Sequence, residues 1–227
     1  MADMSDPRVK AVLAYAEVCK EAAQFLEEKP DLPQELTSLP GIDLSGAVLS
    51  SANFAGVDFT GSDLSGVELS HAVLRGAKLT KANLSRANLT NSNLSGADLS
   101  GANLSSAVLR YAKLNKTNLS EANLSKADLT SSSLYDTDLT DADLTDADVT
   151  KANIGFADLE GAKITQSQLA KGRYLYVAVA GFPKDVAQKF IMLGSARVGA
   201  SDNASKNLVV ELHSDGKVRI KTRIFRY

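Results

Sequence analysis

The chain has 227 residues, of which 44% are hydrophobic and 23% are charged, and its formal net charge is −2 at pH 7. This composition is that of one or two globular domains with ample material for a core. No window holds 18 apolar residues and the N-terminus has no basic, then apolar run, so we expect neither a membrane span nor a secretory signal. The single cysteine, Cys19, excludes an internal disulfide framework and a multi-cysteine metal cluster. We therefore expect an intracellular, cytoplasmic protein.

The charge is unevenly distributed and divides the chain into three parts. Residues 1–41 carry a net charge of −4, residues 42–170 carry −5, and residues 171–227 carry +7. We predict these as an N-terminal helix with a linker, a repeat region and a basic C-terminal module, and the opposite sign of the third part indicates a separate role.

The N-terminal part predicts an amphipathic helix over residues 6–29. Apolar residues recur there at helical spacing, and Pro30 ends the pattern. Cys19 lies on the apolar stripe, which favours a small core residue over a nucleophile. A helix of this kind needs a surface to cover, and the open end of the repeat region is the nearest one.

The repeat region has a period of five residues from Ile42 to Ala170, in 26 consecutive units. Every fifth residue from 44 to 169 is the largest apolar residue of its unit, and it is Leu in 21 units (the Leu position). Two residues earlier comes a mostly small residue, Ala in 17 units (the Ala position), and between them lies the outward position, usually Asp or Asn. A hydroxyl position, usually Ser or Thr, and a variable corner position complete the unit.

A period of five fits neither a helix nor a continuous strand, so each unit must contain its own break. In an extended segment the Ala and Leu positions point the same way and the outward position points oppositely. The corner position is often Gly, for example Gly61 and Gly101, which is typical of a turn. If each corner turns the chain by about 90°, four units close a square. The pattern therefore predicts a mainly β solenoid filled by Leu and Ala.

The unit A-[D/N]-L-[S/T]-x resembles the motif of the pentapeptide repeat family, A-[D/N]-L-x-x. The resemblance implies a right-handed quadrilateral β-helix with twenty residues per coil, or about 6.5 coils here. In some members of that family, the fluoroquinolone-resistance proteins, an acidic rod occupies the DNA site of a topoisomerase. The resemblance therefore implies DNA mimicry as one possible function.

Inward hydroxyls such as Ser62, Ser92 and Ser132 suggest nucleophiles only at first sight. No His accompanies them, and small inward hydroxyls ordinarily bond to nearby backbone. We therefore predict no enzyme activity, no cofactor and no metal site; the Asp-rich segment lacks the loop pattern of an EF-hand.

Candidate contact residues are those that depart from the outward pattern. Arg110 and Tyr135 replace the usual hydroxyl residue, and Tyr111 and Phe156 occupy corners. Exposed aromatic residues of this kind anchor protein contacts. Alternatively, the C-terminal segment of the chain covers Tyr135 and Phe156.

A second candidate is an acidic face without an intervening base: Asp136, Asp138, Asp141, Asp143, Asp146 and Asp148. It favours a solvated surface that keeps the rod in solution, with DNA mimicry as the alternative.

The C-terminal part predicts the order β-α-β-β, with strands over 173–179, 208–213 and 217–225 and a helix over 184–193. Its last strand alternates basic and apolar residues, the basic ones being Lys217, Arg219, Lys221 and Arg223. This basic ribbon suits nucleic acid, an anionic lipid surface or an acidic protein. It equally suits an edge strand protected from association, or one paired with acids of the same chain.

Taken together, these features predict a noncatalytic structural scaffold that presents the faces of a rigid rod to a protein partner within a larger assembly. The first alternative is a DNA-mimicking inhibitor of a gyrase-type topoisomerase. The second is binding of nucleic acid or an anionic surface through the basic ribbon.

Overall fold

The computed structural model describes residues 1–24, 31–169, 171–172, 177–178, 207–212 and 218–223. Its helices and strands, in chain order, are α1 (Pro7–Gln24), a 3-10 turn (Gln34–Leu36), β1 (Ala157–Asp158), α2 (Gln166–Leu169), β2 (Val177–Ala178), β3 (Asn207–Leu212) and β4 (Val218–Arg223). Between the 3-10 turn and β1 the chain winds into stacked coils. The coils are joined by parallel bridges one residue long, which is why few long strands occur.

The bridges fix the register of the coils. Each outward residue pairs with the outward residue twenty positions later, from Ser38 with Asp58 to Asp143 with Lys163. Twenty residues are four units, so the rod has four sides. We name the sides after the outward residues Asp143, Asp148, Asn153 and Asp158 of one coil. The spacing is the coil of twenty residues that the resemblance implies.

One unit, residues 62–66, shows where the five backbone N–H groups go. The first donates to the carbonyl of Phe59 across a corner (3.0 Å), and the second donates to the preceding coil at Ile42 (2.9 Å). The third and fifth donate to the following coil, at Asn83 (2.7 Å) and at Ser85 (2.8 Å). The fourth donates to the carboxylate of Asp63 in the same unit (3.0 Å). Every donor is satisfied, as a closely packed backbone requires.

The fourth bond explains why the outward position favours Asp and Asn. At all 17 outward positions that hold Asp or Asn, the side-chain Oδ1 accepts a bond from the N–H two residues later. Such local side-chain acceptors stabilise turns. The Asp and Asn columns therefore build the corners and do not by themselves indicate a function.

Each corner position adopts the left-handed backbone conformation. From Gly41 to Gly161, φ at these positions lies between 57° and 71°. With a bond from the fourth residue back to the first, this is the geometry of a type II turn, in which Gly is preferred. Nine corners hold Gly and sixteen hold other residues, each of which is strained by roughly 1–2 kcal/mol.

The N-terminal helix closes one end of the rod. Val9, Val12 and Cys19 of α1 are fully buried in the same core as the first Leu residues. The Tyr15 hydroxyl donates to the carbonyl of Asn53 (3.0 Å), and its ring packs on Phe54 with 5.9 Å between centroids. Burial raises the pKa of this hydroxyl. In the structure α1 packs against the first coils and Cys19 lies in the shared core, while residues 25–29 of the predicted helix lie outside the described residues.

The coil register and the predicted boundaries differ at both ends. Ser38 already bridges to Asp58 and Gly41 has the corner conformation, so the ladder begins one unit before Ile42. At the other end, residues 166–169 form α2 although Leu169 keeps the period. The Gln168 amide donates to the carbonyls of Leu144 (2.7 Å) and Ala147 (3.0 Å). A terminal unit has a coil on one side only, so its chain can leave the ladder once another donor satisfies those carbonyls.

In the C-terminal part, strand β2 extends the ladder at this end of the rod. β2 pairs in parallel with β1, joining Ala157 to Val177 and Asp158 to Ala178, so it keeps the spacing of twenty residues. β3 and β4 form an antiparallel hairpin in which Asn207 pairs with Arg223 and Leu212 with Val218. The hairpin agrees with the two predicted strands within a few residues. The predicted helix over 184–193 lies outside the described residues, as does most of the predicted strand over 173–179.

Candidate interaction surface

The interior of the rod is filled by side chains. Its Leu and Ala positions are buried from Ile42 to Leu159, and Ala162 and Ile164 are partly buried. Four inward hydroxyls bond to backbone carbonyls as predicted, whereas the prediction is wrong for Ser92. Ser62 donates to Leu39 (3.0 Å), Thr117 to Leu94 (2.9 Å), Thr137 to Leu114 (2.6 Å) and Ser132 to Leu129 (2.7 Å). Within the described residues, the Ser92 hydroxyl is the one buried side-chain polar atom without a partner. Residues that bind a partner are therefore to be sought on the outer surface of the rod.

Tyr135 and Phe156 form a contact pair on the outside. Their ring centroids are 5.2 Å apart with planes inclined by 68°, an edge-to-face arrangement. Tyr135 is 40% exposed and Phe156 is 46% exposed, so the described chain does not bury them. We call these two residues the aromatic pair.

The backbone holds both members of the aromatic pair in unusual positions. Phe156 is a corner residue with φ 60°, where a bulky side chain is rare. Tyr135 lacks the usual outward Asp or Asn, because that position is Ser133. Its N–H donates instead to Oδ1 of Asn115 on the preceding coil (3.2 Å), and the Ser133 hydroxyl donates to the same oxygen (2.6 Å). Asn115, which interrupts the hydroxyl column, thus supports Tyr135.

Arg110 and Tyr111 lie away from the aromatic pair. Tyr111 occupies the corner between the Asp148 and Asn153 sides and is 57% exposed, whereas Phe156 lies at the corner between the Asn153 and Asp158 sides. The Arg110 Nε forms an ion pair with Asp128 of the next coil. Burial tends to raise the pKa of Asp128, but bonds from Thr130 and Arg110 lower it overall. The four predicted contact residues therefore lie at two separate corners of the rod, and Arg110 already forms an ion pair with Asp128.

The six aspartates of the predicted acidic face do not share one side. Asp138, Asp143 and Asp148 are the outward residues of three successive sides, and Asp136, Asp141 and Asp146 occupy corners. The period of five places residues five apart on successive sides, so the run winds around the rod as an acidic belt. This geometry corrects the prediction that the six aspartates form one acidic face.

Part of the acidic belt is neutralised within the molecule. Lys163 Nζ lies 3.0 Å from Oδ2 of Asp143. Bonds from the side chain and backbone of Thr145, and then from Lys163, lower the pKa of Asp143 to about 2. Bonds from Thr150 likewise lower the pKa of Asp148. These carboxylates are held as anions by the corners they stabilise.

The basic ribbon is described only in part. Arg219, Lys221 and Arg223 lie on β4, opposite Glu211, Val209 and Asn207 of β3, and Lys217 lies outside the described residues. β4 also approaches β2, which extends the Asp158 side. The ribbon is therefore placed near the end of the rod that carries the acidic belt.

The sequence did not indicate a surface groove at the same end of the rod. It has a volume of about 680 Å³ and is lined by residues that include Asp146, Asp148, Lys163, Gln168 and Lys171. Its signal in the sequence would have been Gln168, whose long amide replaces the usual Asp or Asn. Among the described residues no three His, Cys, Asp or Glu side chains are grouped to hold a metal ion, and no described helix is long and apolar enough to cross a membrane.

A family model of pentapeptide repeats matches the chain in eight copies, over residues 37–66, 68–105, 102–141 and 127–166. These matches cover more than half of the chain, which therefore belongs to the pentapeptide repeat family. The coils are those of that family's right-handed β-helix. No curated protein matches the chain.

Several solved structures are similar to this chain. HetL, a pentapeptide repeat protein involved in heterocyst differentiation regulation in Nostoc sp. strain PCC 7120, is 32% identical, with 56% of this chain and 74% of HetL covered and a TM-score of 0.24. A pentapeptide repeat protein of the Arabidopsis thaliana thylakoid lumen is 26% identical over 61% of this chain and 78% of its own, with a TM-score of 0.27. QnrB1, a plasmid-mediated fluoroquinolone resistance protein, is 19% identical over 72% and 88%, with a TM-score of 0.41.

Proposed function

We propose that this protein is a noncatalytic interaction scaffold whose rigid rod presents its outer surface to a protein partner within a larger assembly. Pentapeptide repeat proteins are generally repeat scaffolds of this kind. The observation that carries the proposal is the aromatic pair, two exposed rings in contact on the outside of the rod. Val48 and Tyr111 are also exposed, but neither forms a ring contact within the described residues.

The strain at Phe156 supports the proposal. Corner positions are satisfied by Gly in nine units, and Gly there relieves the left-handed strain that a bulky residue suffers. The Phe156 side chain lies outside the buried core of the rod. Left-handed strain is shared by the other corners without Gly, and at Phe156 it coincides with an exposed aromatic contact, a combination that suits a functional position.

Affinity capture from an extract of the source cells tests the proposal. The wild type is compared with a double variant, Tyr135→Ser and Phe156→Asn, which restores residue types usual at those positions. The matched control is Tyr111→Asn, which removes an exposed aromatic residue from another corner of the same conformation.

We expect the double variant to lose a protein that both the wild type and the control retain, while its thermal midpoint stays unchanged or rises. Recovery of the same proteins by all three would exclude the aromatic pair as the contact. The scaffold proposal would then rest on the other faces of the rod alone.

The two alternatives from the sequence stay predictions. The acidic belt follows the circumference of the rod, whereas the charges of DNA follow its length, so we do not propose DNA mimicry. Absence of inhibition in a supercoiling assay with purified gyrase would exclude it. Binding of RNA or anionic vesicles should be strongest at low salt, and its absence there would exclude the basic ribbon as a binding surface. The cytoplasmic location also stays a prediction.

A further inference from the structure

The aromatic pair borders carboxylates on the Asp158 side of the rod. Asp136 occupies the corner position twenty residues before Phe156, so the two lie on adjacent coils about 4.8 Å apart in backbone spacing. Asp138 and Asp158 bridge to each other on the adjoining side, and Glu160 follows on the same side. We call these four acidic residues the acidic margin.

The acidic margin combines carboxylates without an ion pair among the described residues with a position beside the aromatic pair. Oδ1 of Asp138 accepts a bond from the N–H of Thr140 (2.9 Å), and Oδ1 of Asp158 accepts one from the N–H of Glu160 (3.1 Å). In the part of the chain that the structure describes, none of the four forms an ion pair, although Asp128 and Asp143 on other sides do. The Asp136 and Glu160 side chains are exposed to solvent.

Aromatic rings and uncompensated carboxylates attract the same kind of group. A ring face attracts a cation through its quadrupole, and a carboxylate attracts it through its charge. An arginine guanidinium satisfies both at once, because it is planar, stacks on rings and donates two parallel bonds to a carboxylate. A lysine ammonium is more strongly hydrated and makes only point contacts.

We propose that the aromatic pair and the acidic margin together bind an arginine-containing, extended basic segment of a partner protein. This inference rests on the scaffold function proposed above and names the chemistry of its partner. The site combines an apolar anchor with a rim of one charge sign, which gives both affinity and orientation to a segment of the opposite sign.

Fluorescence anisotropy with the full-length protein at low salt tests the site. The probe is a short dye-labelled peptide of alternating arginine and glycine, and matched peptides with lysine or glutamate in place of arginine are compared. We expect the arginine peptide to bind more tightly than the lysine peptide, the glutamate peptide not to bind, and added salt to weaken binding.

Paired variants localise the binding. Phe156→Asn should weaken binding of the arginine peptide roughly threefold to tenfold, the range of a lost cation–π contact, while Tyr111→Asn leaves it unchanged. Asp136→Asn should weaken it about twofold to fivefold, while Asp146→Asn leaves it unchanged. Asp136 and Asp146 share the corner conformation and each lies twenty residues after a lysine, so their substitutions change the net charge equally.

Equal losses in Asp136→Asn and Asp146→Asn would show attraction by net charge alone and would overturn the proposal. Equal losses in Phe156→Asn and Tyr111→Asn would show that binding does not depend on the aromatic pair and would overturn it as well. Binding that is insensitive to Phe156→Asn would also overturn it. Tighter binding by the variant Arg219→Gln, Lys221→Gln and Arg223→Gln would show that the ribbon of this chain occupies the site, which excludes a partner's segment as its natural ligand. If affinity capture succeeds and the peptide does not bind, the scaffold function stands and this inference fails.

Discussion

Ser92 offers a test of how the interior of the rod is satisfied. Its side chain is fully buried at an Ala position, and its hydroxyl has no partner within the described residues. A buried, unpaired hydroxyl costs about 1–3 kcal/mol relative to a paired or absent one. The variant Ser92→Ala removes that group and creates only a small change in volume. We expect the free energy of unfolding to rise by about 1 kcal/mol.

Ser62 provides the matched control, since it is the same residue in an equivalent inward position. Its hydroxyl donates to the carbonyl of Leu39 (3.0 Å), which also accepts a bond from the N–H of Ile42 (3.4 Å). Ser62→Ala thus loses one hydrogen bond without leaving an unpaired carbonyl. We expect the free energy of unfolding to fall by about 0.5–1 kcal/mol.

Thermal unfolding followed by circular dichroism distinguishes the two variants. For a chain of this size about 1 kcal/mol corresponds to roughly 2–4 °C, so the midpoints of the two variants should move in opposite directions. A fall in the midpoint of Ser92→Ala comparable to that of Ser62→Ala would refute the reasoning. It would show that the Ser92 hydroxyl donates to a carbonyl in solution, the candidate being that of Leu69, 23 residues earlier, as in the Ser62 bond.

Three further predictions concern the corners and the core. Because the folded pKa of Asp143 is depressed, its contribution to stability is present above the unfolded pKa of about 3.9 and is lost as the pH falls through about 2. Asp143→Asn keeps the corner acceptor, so its thermal midpoint should fall less than that of the wild type between pH 4 and pH 2; equal losses would contradict this. Gly161→Ala should destabilise more than Gly96→Ala in thermal melts, since a Cβ at Gly161 would lie 1.9 Å from Oδ1 of Asp141 whereas none is contacted at Gly96. Leu104→Ala should lower the free energy of unfolding in urea by about 3–5 kcal/mol, and a loss under 1 kcal/mol would mean that neighbouring coils collapse onto the cavity.

The core and the register could be predicted from the sequence because both follow from one period. Once the period is five and the coil holds twenty residues, the side occupied by each residue is fixed. The contact between Tyr135 and Phe156 was predictable for this reason, since they are 21 residues apart. The ion pair of Arg110 with Asp128 obeys the same register at a separation of 18 residues, but choosing it among possible neighbours required side-chain positions.

The structure at the ends of the rod could not be predicted, because the five-residue period alone does not determine the conformation there. Leu169 satisfies the repeat pattern and is buried, yet it does so from a helix. Residues 37–41 fall in the part predicted as a linker, yet they form a unit of the ladder. A unit inside the rod is held by coils on both sides, whereas a terminal unit is held by one, so local alternatives become competitive.

The four-unit coil also sets rules for how this surface can change. Insertion or deletion of one unit before Leu134 would carry every later residue by a quarter turn, so the aromatic pair would face a different direction relative to α1. Insertion of four units would move the pair along the rod by one coil and preserve its direction. The orientation of a contact on such a rod therefore changes in steps, and lengthening in whole coils is the change that leaves an established partner facing the same surface.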